Sequence, residues 1–267
     1  MGNKRNIKIY KMKKTQYGLV IGTAFVSDQV NNQYLESMIK THSYFKKAGI
    51  PLVNMFLYNC SLISKGRCDM ISNFLTQTNI DNFLFIDSDM SWEAEDIMKL
   101  INHDKPLVGG TYPKKAVNWS SVQKIIHHDL VDNVGDLLTK SSEYTCVLKE
   151  NPSIKNKNLL EVDRLGTGFM MIKRSLLIKM KKKFKKFKYL MDDDKSEGFA
   201  IFETEVRDER LISEDYAFCL RVQDIGEKVY VDPTIKLDHH GGNLTFNGNF
   251  SNKLKYDQEI KEILRNS

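Results

Sequence analysis

Two aspartates follow an apolar run in "NFLFIDSDMSW" (82–92), and their spacing is the first feature of the chain that could do chemistry. Carboxylates held this close repel each other unless a proton or a cation lies between them. Oxygen-only ligands suit Mg²⁺ or Mn²⁺, which keep several waters and bridge to substrate phosphates. Period-two alternation along a strand aims Asp87 and Asp89 to the same side. The plainer alternative is a capped strand followed by a polar loop. A second Asp-x-Asp, Asp192 to Asp194, sits in a charged loop with no strand before it and reads as solvated surface.

Two further groups could join such a centre. Glu214 and Asp215 in "SEDYAF" stand at the start of a helical pattern, where acidic residues favour the dipole. The same position suits a general base that takes a proton from an attacking hydroxyl. His239 and His240 are adjacent in "LDHHG". Neighbouring residues on a strand point in opposite directions, so one of the two at most faces a site. A neutral imidazole there is a reasonable third ligand beside two carboxylates.

Positioning these groups requires a framework, and the first 110 residues supply one. "YGLVIG" (17–22) reads as a buried strand, followed by a helix with Leu35, Met38, Ile39 and Phe45 on one face and Gly49 as its stop. "IPLVNMFLY" (50–58) is a second strand and residues 66–79 a second helix. "NFLFI" (82–86) is a third strand, "EAEDIMKLI" (93–101) a third helix with Ser91 as its cap, and "PLVGG" (106–110) a fourth strand. Such alternation predicts an α/β fold with a mostly parallel sheet and helices on both faces, binding ligands beyond the carboxyl ends of its strands. Asp87 and Asp89 occupy such an end. Residues 115–160 read as hairpins or loop. Beyond them come a glycine turn with a short strand, a lysine-rich helix, the 214–226 helix and two closing strands. With no repeat and no Pro-, Gly- or Ser-rich linker, a single domain over 1–267 is expected.

Composition narrows the function class. The 267 residues carry 40 Lys+Arg against 34 Asp+Glu, a net charge of +6. Much of the excess lies in Lys4 to Lys14 and in "KMKKKFKKFK" (179–188), rather than across a nucleic-acid recognition surface, so nucleic acid is not the expected partner. Four cysteines without a C-x-x-C pair predict free thiols in a reducing, cytoplasmic setting, and no zinc site. "MGNKRNIKIYKMKK" never develops the apolar core of a signal peptide, and Asn6 does not suit N-myristoylation. In the basic stretch, Leu176, Leu177, Met180, Phe184, Phe187 and Leu190 recur at helical spacing. That helix over 176–190 either packs on the domain or lies on an anionic membrane surface.

"FIDSDM", "LGTGFMMIKR", "SEDYAFCLRVQDIGEKVYVDP" and "LDHHG" come in the order seen in GT-A-fold glycosyltransferases, and the chain resembles that family, especially its inverting bacterial, phage and large-virus members, over residues 17–242. The resemblance implies a Rossmann-like nucleotide-sugar half over about 15–115, an acceptor and catalytic half over about 116–245, and a tail helix over 246–267. It implies Mn²⁺ (or Mg²⁺) held by Asp87, Asp89 and His239, the last chosen over His240 on the family's L-x-H-x-G pattern. It places the base on Asp215, less readily on Glu214. Nucleotide binding falls on Thr23, Arg67, Asp87 and Ser88. Gly166, Thr167 and Gly168 border the substrate pocket, which Tyr112, Lys114 and Trp119 line unless "TYPKKAVNW" is simply a solvated loop. The implied reaction moves a sugar from a UDP- or GDP-sugar to a hydroxyl of a glycan or lipid-linked glycan. The rivals are a nucleotidyltransferase, a nucleic-acid-modifying sugar transferase and a non-catalytic sugar-nucleotide binder. Against the first, "IGTAFVSDQ" lacks a glycine-rich, basic phosphate loop after the first strand.

Overall fold

The computed structural model of the chain describes residues 16–26, 29–128, 130, 134–150, 154–155, 159–192, 196–242 and 244–266. The basic segment 4–14 and Asp194 of the second Asp-x-Asp lie outside the described residues.

The first part alternates as its pattern predicts: β1 (Gln16–Ala24), α1 (Asn32–Ala48), β2 (Leu52–Leu57), α2 (Ile63–Gln77), β3 (Ile80–Ile86), a short β4 (Met90–Ser91), α3 (Ala94–His103) and β5 (Leu107–Gly109). Local chemistry sets the boundaries. Asn31 caps α1 by accepting from the N–H groups of Gln33 and Tyr34, and Gly49 ends it at φ 67°, a conformation that costs glycine little. Ser91 does not cap α3; it belongs to β4, and Glu93 stands at the cap without a side-chain bond.

The second part is more ordered than the sequence reading of hairpins or loop over 115–160. It contains α4 (Trp119–His127), α5 (Val134–Ser141), β6 (Cys146–Leu148), β7 (Ile154–Lys155) and β8 (Leu159–Leu165). Asn118 caps α4 through the Ser121 N–H, and Val122 and Ile125 give the helix a buried face too short to stand out in a polar stretch. Then follow β9 (Phe169–Lys173), α6 (Arg174–Lys183), β10 (Lys188–Leu190), β11 (Glu197–Phe199), β12 (Glu205–Arg207), β13 (Arg210–Ile212), α7 (Glu214–Asp224), β14 (Val229–Val231), β15 (Asp238–Gly241), β16 (Leu244–Phe246) and α8 (Phe250–Asn266). The expected tail helix is α8, and it is docked rather than loose, with Phe250 and Tyr256 buried.

A nine-stranded sheet runs β2-β1-β3-β9-β5-β14-β8-β6, with β7 also on β8. β1 pairs in parallel with β2 and β3, and β5 with β14. β8 and β9 run against all their neighbours. The sheet is therefore mixed, with two reversed strands set among strands of one direction. Successive residues of β1 and β3 feed opposite faces, as the pleat requires. Val20, Phe83 and Phe85 join α2, α6 and α7 in one apolar layer. Leu19, Ile21, Leu84 and Ile86 join α1 and α3 in the other. Both layers draw on the early and late parts of the chain, so these share one core. A small sheet, β16-β15-β4, sits at the end of β3.

The lysine-rich segment resolves in favour of packing. Leu176, Leu177 and Met180 are buried in the core, and Phe184 and Phe187 pack against it. The helix ends at Lys183 instead of running to 190, and Leu190, the last residue of the expected stripe, lies in β10 and is 65% exposed. Among the described residues no helix is long and apolar enough to cross a membrane. Replacing Leu177 with Ala should lower stability by about 3 kcal/mol in urea unfolding. Lys182→Ala, at an exposed position of the same helix, should change it by less than about 0.5 kcal/mol.

Candidate active site

β3 stops at Ile86, and the next three residues form a turn closed by Met90 N–H donating to Asp87 O at 3.2 Å. This breaks the alternation expected for the two aspartates. Asp87 and Asp89 take different partners.

Asp87 faces Arg67 of α2, with Arg67 Nη2 3.1 Å from Asp87 Oδ1. The other arm of the guanidinium donates to Glu214 Oε1 at the start of α7. Arg67 is buried, beneath the ring of Phe85 at 5.9 Å. It is neither a surface salt bridge nor an exposed nucleotide contact; it joins α2, the end of β3 and the start of α7. Burial pushes the Glu214 carboxyl above its usual range, more strongly than Arg67 draws it down.

Asp89 faces His239 and Lys115. The Lys115 ammonium donates to Asp89 Oδ2, while Asp89 Oδ1 is shielded from solvent and has no hydrogen bond. Burial raises the Asp89 carboxyl, but the hydrogen bonds and charges of His239 and Lys115 outweigh it and hold it at about 2. His239 Nδ1 lies 2.8 Å from the carbonyl of Pro113. A carbonyl only accepts, so Nδ1 carries the proton, and in a neutral ring Nε2 presents a lone pair. Nε2 is 3.5 Å from Asp89 Oδ1. His239 Nε2 and Asp89 Oδ1 thus face each other across a short gap, an ion pair that draws the carboxyl down when the ring is protonated and a pair of cation donors when it is neutral, with the outer nitrogen fixed on a backbone carbonyl as metal-ligating histidines are.

Among the described residues, no group of three or more His, Cys, Asp or Glu is arranged to hold a metal ion. Asp87 meets Arg67 through Oδ1 alone, and the three expected ligands do not converge on one point. Asp89 Oδ1 and His239 Nε2 nevertheless fit a divalent cation that completes its shell with water and phosphate. An imidazole donor suits Mn²⁺ better than Mg²⁺. His240 is removed from contention: it is buried, with Nδ1 3.0 Å from Thr245 Oγ1 and Nε2 2.9 Å from Ser91 Oγ.

Hydrogen bonds gather the remaining segments. His240 N–H donates to Asp89 O at 2.8 Å, and Asp87 N–H to Gly168 O at 3.2 Å. Tyr112 is the hub. Its hydroxyl accepts from Gly168 N–H at 2.9 Å, and its ring meets His239 edge to face at 5.0 Å. Burial raises its phenol well above the ordinary range, and Asp87, Arg67 and Asp215 all act on it electrostatically. A Cβ at Gly168 would collide with the Tyr112 ring and hydroxyl, and one at Gly166 would come within 3.0 Å of Thr145 Cβ. Thr167 between them is buried, its hydroxyl without a partner. On Asp215, the hydrogen bonds from Ser213 Oγ and from Tyr216 N–H (2.7 Å) both go to Oδ1.

Other expected residues stand apart. Thr23 is fully buried and its hydroxyl is bonded to Tyr34 Oη at 2.7 Å, so it is not presented to a nucleotide. Lys114 is exposed and pairs with Glu143 at 3.0 Å, and Trp119 is 74% exposed at the start of α4. Ser88 lies half-buried in the turn. Lys115 was not anticipated; nothing in "PKK" separates it from Lys114. A cleft of about 590 Å³ is lined by Ser91, Trp92 and Asp238 with parts of α1 and α5, and includes none of Asp87, Asp89, Asp215 or His239. Asp238 and His239 point to opposite sides of β15, which separates that cleft from the Asp89 centre. The cysteines are free thiols; burial pushes Cys68 and Cys219 up to about 12, far from a reactive thiolate.

No protein-family model and no curated relative matches the chain. Among solved structures it is similar to A197 from STIV, with a TM-score of 0.49 and 14% identity over 87% of this chain and 94% of that one. It is also similar to the inositol-1-phosphate CTP transferase from T. maritima, with a TM-score of 0.35 and 11% identity over 89% of this chain and 96% of that one. At these values neither likeness bears on the chemistry, which rests on the residues themselves.

Arg67→Met should cost about 3–5 kcal/mol at pH 7, because it leaves two carboxylates facing each other with no cation between them. Glu214, already raised by burial, then loses the charge that drew it down, so the variant loses stability as pH rises through the titration of that carboxyl. Urea unfolding should show the deficit shrinking between pH 7 and pH 4.5; a deficit that grows on acidification contradicts this assignment.

Proposed function

We propose that the chain is a glycosyltransferase of the GT-A type, taking a nucleotide-sugar donor and passing the sugar to an acceptor hydroxyl with inversion. The observation that carries this reading is the pairing of Asp89 Oδ1 with Nε2 of His239, whose ring contacts Tyr112, a side chain on which the charge of Asp215 also acts. Asp89 and His239 would hold a divalent cation, which would supply charge neutralisation for a departing nucleoside diphosphate.

The chain's own residues take separate parts. Asp215 is the base. Its Oδ1 is fixed by Ser213 and the Tyr216 N–H, which leaves Oδ2 to accept the acceptor hydroxyl proton. The acceptor oxygen then bonds to the anomeric carbon as the bond from that carbon to the phosphate oxygen breaks, and the electron pair leaves with the diphosphate. Attack opposite the leaving group inverts the configuration. Glu214 is engaged by Arg67 and does not serve as the base; it anchors the guanidinium that sets Asp87 and the start of α7. Tyr112 holds the Gly166–Gly168 turn and the His239 ring in register. The Gly166–Gly168 turn is buried and acts by positioning, and exposed Trp119 has no part in this reading.

Release of nucleoside diphosphate from a panel of UDP- and GDP-sugars, with Mn²⁺ and with EDTA, tests the reading. Slow hydrolysis of one donor, lost on chelation, is expected. Asp215→Asn should lower kcat for transfer by about 10²–10⁴ without changing the melting temperature. Wild-type turnover in that variant, or release indifferent to EDTA, contradicts the assignment.

A further inference from the structure

Lys115 has no part in the chemistry above, yet its ammonium is bonded to the carboxylate that would hold a cation. Its position is built rather than incidental. The stem runs across Gly241, where a Cβ would come within 2.8 Å of Lys115 Cδ and 3.2 Å of Cγ. Gly241 does not have a positive φ; the lysine stem occupies the space a Cβ would take there. Two residues before Lys115, the Pro113 carbonyl fixes the His239 proton on Nδ1. One short loop therefore directs the imidazole lone pair at the site and lays a fixed positive charge on it. The two oxygens of Asp89 are correspondingly unlike: Oδ2 carries the ammonium and Oδ1 has no hydrogen bond.

An ammonium and a divalent cation on one carboxylate repel each other strongly in a half-buried setting. Resting on the cation site of the functional reading, we propose that Lys115 is an intramolecular counter-ion that competes with the divalent cation for Asp89 and so sets how tightly the site takes metal. Without metal it neutralises Asp89; with metal bound, the flexible stem carries the ammonium off Oδ2. The positive charge of the lysine, and not its bulk, is the competing element.

The test is Mn²⁺ binding alone, by calorimetry and by the electron paramagnetic resonance of free Mn²⁺, on the full chain without a donor. Lys115→Met keeps the stem and removes the charge, and should tighten Mn²⁺ binding by about tenfold, equivalent to ~1.4 kcal/mol. Lys115→Arg should stay near the wild-type value, Lys114→Met should not change it, and Asp89→Asn in the Lys115→Met background should abolish the gain. Equal affinities in wild type and Lys115→Met, or weaker binding in the variant, overturn the role of Lys115 while leaving the cation site intact. Absence of Mn²⁺ binding in both overturns the cation site and the competition together.

Discussion

A guanidinium removed from water has to be met by negative charge, and around Arg67 that requirement organises the candidate site. Asp87 at the end of β3 and Glu214 at the start of α7 each take one side of it. Three elements distant in sequence are thereby set against one another at the carboxyl edge of the sheet. Removing either acid leaves a buried charge short of a partner, whereas removing the arginine leaves two acids in conflict. Tyr112 lies within reach of the same charges and passes their placement on to the Gly166–Gly168 turn and to His239.

Four carboxylates in a small volume end up with four environments, and the environment decides what each can do. Asp87 is paired with Arg67 through one oxygen. Glu214 is half-buried against Arg67 and desolvation pushes its carboxyl up. Asp89 is held at about 2 by His239 and Lys115 despite its burial, so it stays ionised and available to a cation. Asp215 is tied by one oxygen only. Sorting like groups by their surroundings is how a single cleft separates ligand, base and scaffold.

Much of this was legible in the chain. The apolar run before Asp87 marks a strand end, and the alternation of "DHH" allows only one histidine to face the site; the structure adds that His240 is the inward, hydrogen-bonded one. The limit of the period-two rule also shows here, because it holds only while the strand lasts, and β3 ends one residue before Asp87. Lys115 was hidden because its role depends on Gly241, far along the sequence and recognisable only once β15 is folded beside the loop. The basic segment was ambiguous for another reason: apolar residues at helical spacing look the same whether they face a core or a lipid surface, and only burial of Leu177 and Met180 decides. α4 and α5 are short helices in polar sequence, where periodicity has too few turns to register.

The central claim is that Asp89 and His239 are two donors of one cation site. Anomalous diffraction at the manganese edge from crystals soaked in Mn²⁺ addresses it most directly. The account predicts a peak between Asp89 and His239 Nε2, with the Pro113 carbonyl still bonded to Nδ1. A peak elsewhere on the molecule, or no peak beside ordered Asp89 and His239 side chains at saturating Mn²⁺, contradicts it.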